Sequence, residues 1–338
     1  MSRRGKYILI CFIGCLVIIS GAFSLFLATT PQASANPIEL RFTANPPPEP
    51  EPDYWVCLDV ASMPAKLSFG LTVFCYNSYS QELYFELSGS GENYAFTKYQ
   101  VGSIKAGDKK YVILTDFFTR DNPKPISTGL LKEKVTITLK AYLQSNYTQL
   151  KFEYSRPLFI KLIDSSSEAF SVALLENFED KEVGAWSHSA PTNVIVSKSA
   201  ATDFVYAGSY SLKISAKEEK DISAGHYWFE VTREVSIPAT SEAYGILHLR
   251  LARDSLTYVA SIRIYANGKQ VAMAGIANPT SEDYVELNRW LQFAFPLPVN
   301  KTVELKIRVD FRRECATSGG GYVYQYLWLD NLKFIYKP

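Results

Sequence analysis

The sequence predicts an all-β protein: two β-sandwiches in tandem behind one N-terminal transmembrane or signal helix. Three observations carry this. Apolar and polar residues alternate with period two through most of the chain beyond residue 54, as strands with one buried and one wet face require. Aromatic side chains are abundant, 22 Tyr and 20 Phe in 338 residues, and Val, Ile and Thr recur throughout; such residues fit pleated, half-buried surfaces. No long amphipathic helical pattern and no fixed-period repeat interrupts the alternation.

The first element is hydrophobic. Arg3, Arg4 and Lys6 precede an apolar run from Ile8 to Leu27. At ~1.5 Å per residue such a run crosses a hydrocarbon core of ~30 Å. The positive flank places the N-terminus inside and the rest of the chain outside, at the cell surface. Ala33-Ser34-Ala35 is a small-residue cleavage site. Residues 1–35 therefore read either as a retained membrane anchor, favoured by the length of the run, or as a signal cleaved after Ala35. Two glycosylation sequons agree with export, at Asn146 and Asn300. Residues 36–54 contain the tract Pro46-Pro47-Pro48-Glu49-Pro50-Glu51-Pro52. It reads as a short polyproline stalk or as an ordinary loop.

Residues 55–168 form the first strand series. Leu83, Phe85 and Leu87 alternate with Tyr84 and Glu86; Val135, Ile137, Leu139 and Ala141 alternate with Thr136, Thr138 and Lys140. Turn signals such as Ala106-Gly107-Asp108 separate the runs. About seven short strands of this kind resemble an immunoglobulin-like or fibronectin-III-like sandwich, which implies a spacer. Cys57 and Cys75 are close enough in sequence to form a disulfide, but strand parity sets them on unlike faces. The polar stretch Asp164-Ser165-Ser166-Ser167-Glu168 marks the domain boundary.

Residues 169–338 form the second series. Leu247, Leu249 and Leu251 alternate with His248 and Arg250; Ile262 and Ile264 with Arg263 and Tyr265; Leu305, Ile307 and Val309 with Lys306 and Arg308. Asn267-Gly268 is a hairpin signal. Inward parity switches from odd at Leu327 and Leu329 to even at Leu332 and Phe334, which predicts a bulge near Asp330 and Asn331. Ordered along this half are Asn177-Phe178-Glu179-Asp180, then Tyr206-Ala207-Gly208-Ser209-Tyr210-Ser211-Leu212, Asn267-Gly268-Lys269, Trp290-Leu291-Gln292-Phe293 and Trp328-Leu329-Asp330-Asn331-Leu332. In that order and spacing the set resembles the galactose-binding-like jelly-roll family, which includes many carbohydrate-binding modules.

The resemblance implies a structural calcium held by Glu179, Asp330 and the carbonyl near Ser209, with Asp203 as a further ligand; hard oxygen donors suit that ion. It also implies sugar binding on a sheet face or in end loops, with aromatic rings stacking on sugar C–H faces. Outward positions that suit this are His248, Arg250, Arg263, Tyr265, Arg308, Tyr324, Tyr326 and Trp328. The plainer reading of the same residues is a wet sheet face with ordinary cross-strand pairs. Trp290 reads as core, and Trp186 and Trp228 as core or loop.

A formal net charge of +1, from 35 basic and 34 acidic residues, gives no electrostatic basis for nucleic-acid binding. Three histidines and no phosphate loop, zincin or nucleophile-elbow motif argue against an enzyme. The expectation is therefore a surface-tethered protein whose partner is a polysaccharide or cell-surface glycan. The alternative is a structural or adhesion component, of a surface layer or pilus, that contacts protein.

Overall fold

A computed structural model describes residues 36–42, 54–62, 71–114, 116–120, 126, 128–179, 186–189, 193–219, 225–240, 242–254, 257–276, 282–299, 301–313 and 322–338. The hydrophobic run, the proline tract from Pro46 to Pro52, Asn300 and Cys315 lie outside them. Residues from Ile38 to Pro338 form one compact unit. Among the described residues no helix is long and apolar enough to cross a membrane, and helical structure is confined to two single 3₁₀ turns, Val60–Ser62 and Thr202–Phe204.

The rest is strand. The first half supplies β1 (Ile38–Phe42), β2 (Tyr54–Asp59), β3 (Leu71–Asn77), β4 (Leu83–Ser90), β5 (Tyr94–Phe96), β6 (Tyr99–Ile104), β7 (Lys109–Leu114), β8 (Phe118–Arg120), β9 (Leu130–Tyr142) and β10 (Leu150–Ile163). The second supplies β11 (Ser171–Glu176), β12 (Ser187–Ser189), β13 (Asn193–Ser199), β14 (Ser211–Glu219), β15 (Gly225–Ile237), β16 (Ala243–Arg253), β17 (Thr257–Ala266), β18 (Lys269–Gly275), β19 (Trp290–Pro296), β20 (Lys301–Arg313) and β21 (Tyr322–Tyr336).

Alternation dictates what each strand buries. Val135, Ile137, Leu139 and Ala141 of β9 are fully buried with Leu83, Phe85 and Leu87 of β4, and face Leu40, Val73 and Cys75 across a first core. In the second half, Phe229 and Val231 of β15, Val303 to Phe311 at alternate positions of β20, and Leu247, Leu249 and Leu251 of β16 close a second core. The Asn267-Gly268 signal is a two-residue turn between β17 and β18, with φ of +51° and +76° at the two positions, the backbone of a type I′ hairpin. The expected bulge is also present. The β16–β21 register slips between Ile246 and His248, opposite the stretch from Lys333 to Asp330, and Asn331 has φ +47°.

The two cores do not belong to separate modules joined by a linker. One face of each is provided by a single eleven-stranded sheet, ordered β13-β14-β21-β16-β19-β2-β10-β9-β4-β6, with β11 paired to the end of β21. Against it lie a three-stranded sheet, β1-β3-β7, in the first half and a five-stranded sheet, β12-β15-β20-β17-β18, in the second. β2 is the bridge: it runs parallel to β10 and meets β19 antiparallel at Cys57 and Ala294. A third apolar cluster, including Cys57, Ile163, Tyr244, Ile246 and Ile335, fills this junction. The polar stretch after β10 is a pair of tight turns, with Ser165 buried against Asp59, so it is an ordered corner.

Cys57 and Cys75 are free thiols. Cys75 lies in the first core on the three-stranded sheet, whereas Cys57 lies in the junction cluster on the large sheet. Burial pushes their pKa values up to about 11 and about 12 respectively, which keeps both protonated and unreactive.

Candidate functional site

The eight outward residues singled out in the sequence divide between the two opposite faces of the second sandwich. Arg263, Tyr265 and Arg308 stand on the outer face of the five-stranded sheet. His248, Arg250, Tyr324, Tyr326 and Trp328 stand on the outer side of the large sheet.

On the five-stranded sheet the cross-strand register sets three rows. Trp228 of β15, Asp310 of β20 and Ser261 of β17 lie side by side; next come Glu230, Arg308 and Arg263; then Thr232, Lys306 and Tyr265. These positions alternate with the buried Phe229, Val231, Ile307, Val309, Ile262 and Ile264, which is why they face outward. Arg308 donates to Asp310 through Nε (2.9 Å) and lies within 3.5 Å of Glu230. Lys306 pairs with the same Glu230 at 3.5 Å, and Arg263 with Asp310 at 3.5 Å. The Ser261 hydroxyl donates to Asp310 (3.1 Å) and accepts from Arg263 Nε (3.2 Å). The Arg308 guanidinium packs 4.7 Å from the centre of the Trp228 indole and fixes that ring on the sheet. The Arg308 pKa is raised: burial opposes its charge, and the hydrogen bond to Asp310 with the charges of Asp310 and Glu230 outweighs that. Every one of these charged side chains remains partly exposed. The face is a preorganised mixture of donors, acceptors and aromatic surface.

The large-sheet face differs. Tyr324, Tyr326 and Trp328 stack in series along β21, and Phe204 lies flat on Trp328 at 4.3 Å between centroids. Tyr206 lies on His248 at 3.8 Å and meets Trp290 edge-on. The segment from Thr202 to Tyr210 thus covers this end of the sheet, leaving His248 and Trp328 only 2% and 4% exposed. Neither ring presents a free face to a ligand. Arg250 is spent on the same cover: its guanidinium packs on Phe204 and donates to the Asp203 carbonyl. Tyr324 and Tyr326 stay partly open, with the Lys213 ammonium 4.8 Å above the Tyr326 ring.

The residues expected to hold calcium gather around one loop. Glu179 accepts from the N–H groups of Ser209 (2.7 Å) and Tyr210 (3.0 Å). Asp330 accepts from Tyr206 (2.8 Å), Ala207 (3.1 Å) and Asn331 (2.6 Å). Gly208 has φ +77°, and a Cβ there would lie 2.4 Å from Glu179 Oε1, so the cradle requires glycine. The Asp330 pKa is raised, first by burial and also by the charge of Glu179, whereas the Ser209 and Tyr210 N–H groups lower that of Glu179. Two carboxylates from distant parts of the chain, both held against the Tyr206–Tyr210 loop, are a hard-oxygen donor set of the right kind. Among the described residues no group of three or more His, Cys, Asp and Glu side chains converges as a metal site. Asp203 is exposed and Asn146 is exposed in the turn between β9 and β10.

Parity readings missed two kinds of feature. Trp228 is neither core nor loop, although its alternation with Tyr227 and Phe229 marks it as outward. Trp290 is not core: it lies opposite Arg250 on the outer side of the large sheet. Glu230, Lys306 and Asp310 carry no signal beyond their parity.

No protein-family profile matches the sequence, and no curated protein matches it. Solved structures similar to it include carbohydrate-binding modules of the β-sandwich type. One is a family-61 module in complex with β-1,4-galactotriose, 14% identical, covering 50% of this chain and 99% of that one with a TM-score of 0.31. Another represents the carbohydrate-binding modules of the β-sandwich superfamily, 14% identical, covering 88% and 97%, TM-score 0.33. A third is the C-terminal family-22 module of Clostridium thermocellum Xyn10B, 14% identical, covering 49% and 94%, TM-score 0.29. The superpositions are loose, and the architecture rests on the strand pairing described above.

Proposed function

We propose that this chain is a non-catalytic glycan-binding protein whose second half is a jelly-roll binding module built onto an immunoglobulin-like first half. The observation that carries the reading is the outer face of the five-stranded sheet. Two aromatic side chains, Trp228 and Tyr265, flank the paired Arg263, Arg308, Asp310, Glu230 and Lys306 on three adjacent strands. Aromatic rings stack on sugar C–H surfaces, and fixed donors and acceptors match hydroxyls. From the Trp228 row to the Tyr265 row is four residues along β20, or ~13 Å at ~3.3 Å per residue. That span suits an oligosaccharide segment better than a single ring. A protein-binding role is less favoured, because a broad apolar patch would mark it. The exposed large apolar side chains among the described residues, Tyr99, Leu150, Val172, Leu175, Ile195 and Tyr210, fall on four strands and a loop.

The apolar run behind Arg3, Arg4 and Lys6 supports display outside the cytoplasm, with the run as anchor or as signal. A structural calcium belongs to the same proposal, with Glu179, Asp330 and the Ser209 carbonyl as its ligands; it would neutralise the two carboxylates and tie the Tyr206–Tyr210 loop to β21.

Two measurements test this. Trp228→Ala should weaken polysaccharide binding about tenfold, as loss of a stacking ring does; an unchanged affinity, with loss instead in Tyr326→Ala, would move the site to the large sheet. Calcium should raise the thermal midpoint and a chelator lower it, and Glu179→Gln should abolish the difference; identical melts with and without the ion would remove calcium from the proposal.

A further inference from the structure

We infer that the five-stranded face selects uncharged polysaccharide and rejects uronate-bearing and sulfated chains. The inference rests on the glycan-binding reading of that face and adds the substrate class. It follows from how the charges there are spent.

At the centre, three cations answer two carboxylates. Arg308 is shared between Asp310 and Glu230, Arg263 leans on Asp310, and Lys306 on Glu230, all within 3.5 Å. Further along the same strands Glu234 stands opposite Glu304, and beyond Asp310 on β20 the next outward residue is Arg312. Across the outward positions of β15, β17 and β20 between Ser261, Trp228 and these ends, four cations meet four carboxylates, so the face carries no net charge.

Arg308 and Arg263, in the row next to Trp228, each already face a protein carboxylate. A sugar carboxylate or sulfate placed over the rows would have to displace Asp310 or Glu230 from Arg308 or Arg263, and the displaced, partly buried carboxylate would give up one of its ion pairs. A sugar hydroxyl has no such conflict. It donates to a carboxylate oxygen and accepts from a guanidinium N–H, and both are presented side by side by Arg308 and Asp310. Rejection of charge is thus built in as an unfavourable contact for the wrong ligand. A neutral face also draws no polyanion from a distance, so binding should be almost indifferent to salt.

The test titrates the folded protein with neutral polymers (galactan, galactomannan and pullulan) and anionic ones (polygalacturonate, alginate and chondroitin sulfate), at low and high salt. At least one neutral polymer should bind, with affinity changing less than about twofold across the salt range, and the anionic polymers at least about tenfold more weakly. Asp310→Asn, which frees Arg263 and leaves Arg308 with Glu230 alone, should gain anionic binding that salt weakens; Glu230→Gln does the same through Lys306 and serves if Asp310→Asn melts early. Tight, salt-sensitive binding of an anionic polymer by the unaltered chain would overturn the selectivity while leaving glycan binding intact. Binding of no polymer in either class would overturn both together.

Discussion

A side chain's place in this fold decides its chemistry more than its type does. His248 was legible as outward from its alternation with Leu247 and Leu249, and its parity is as expected. Its burial was not legible, because the ring that covers it, Tyr206, comes from a loop whose packing no alternation encodes. Trp328 repeats the lesson beneath Phe204. Burial lowers the His248 pKa from 6.5 to about 3. The unfolded chain therefore takes up a proton near 6.5 that the folded chain refuses until about 3. Stability from this site is fully present above the unfolded value and drains away as pH falls through that window. At ~1.4 kcal/mol per unit, on the order of 5 kcal/mol is at stake. His248→Phe keeps a ring against Tyr206 and removes the titration. Its urea midpoint should fall less steeply over the window than that of the parent; parallel curves would assign the acid sensitivity elsewhere.

Elements show what turn chemistry alone reveals and what it omits. The hairpin between β17 and β18 was readable because Asn-Gly supplies two residues that tolerate positive φ. The parity switch near Asp330 likewise announced its bulge, since a bulge changes which face the next side chain meets. Gly275, at the far end of the same hairpin, gave no such sign. Its φ is +86°, and a Cβ there would lie 2.1 Å from the Ala260 carbonyl oxygen, beside the irregularity between Val259 and Ser261. Gly268, at +76°, has open space around it. The pair separates conformational strain from collision. Gly268→Ala should cost ~1 kcal/mol of unfolding free energy, the price of the left-handed region alone. Gly275→Ala should cost about 3 kcal/mol or more, because backbone must also move. Equal losses for the two variants in denaturant unfolding would mean that the contact with Ala260 relaxes freely.

At the scale of the whole molecule the sequence suggested two modules and a polar link, and the alternation within each half was sound. What escaped it is β2, which leaves the first half to touch β19, a pairing with no local signature because its partners are separated by more than two hundred residues. Polar contacts reinforce the bridge. Asp59 N–H donates to Gln292 Oε1 (2.7 Å), Gln292 Nε2 donates to the Asp59 carbonyl (3.1 Å), and the Asp59 carboxylate holds the Ser165 hydroxyl (2.8 Å). Nearer the edge, Arg289 pairs with Asp116 at 2.6 Å, and the Thr72 hydroxyl donates to the Tyr284 carbonyl at 2.8 Å. Two cores that share a sheet and these contacts should melt together, in one calorimetric transition whose measured enthalpy equals its van't Hoff value. Gln292→Leu sharpens the test. It keeps bulk at the junction and leaves the buried N–H and carbonyl of Asp59 without that partner, at ~1–3 kcal/mol for each group. If the halves are one cooperative unit, the whole transition moves down without splitting. If a second transition appears, and only the part belonging to the second half shifts, the junction is an interface between independent sandwiches and the shared sheet does not couple them.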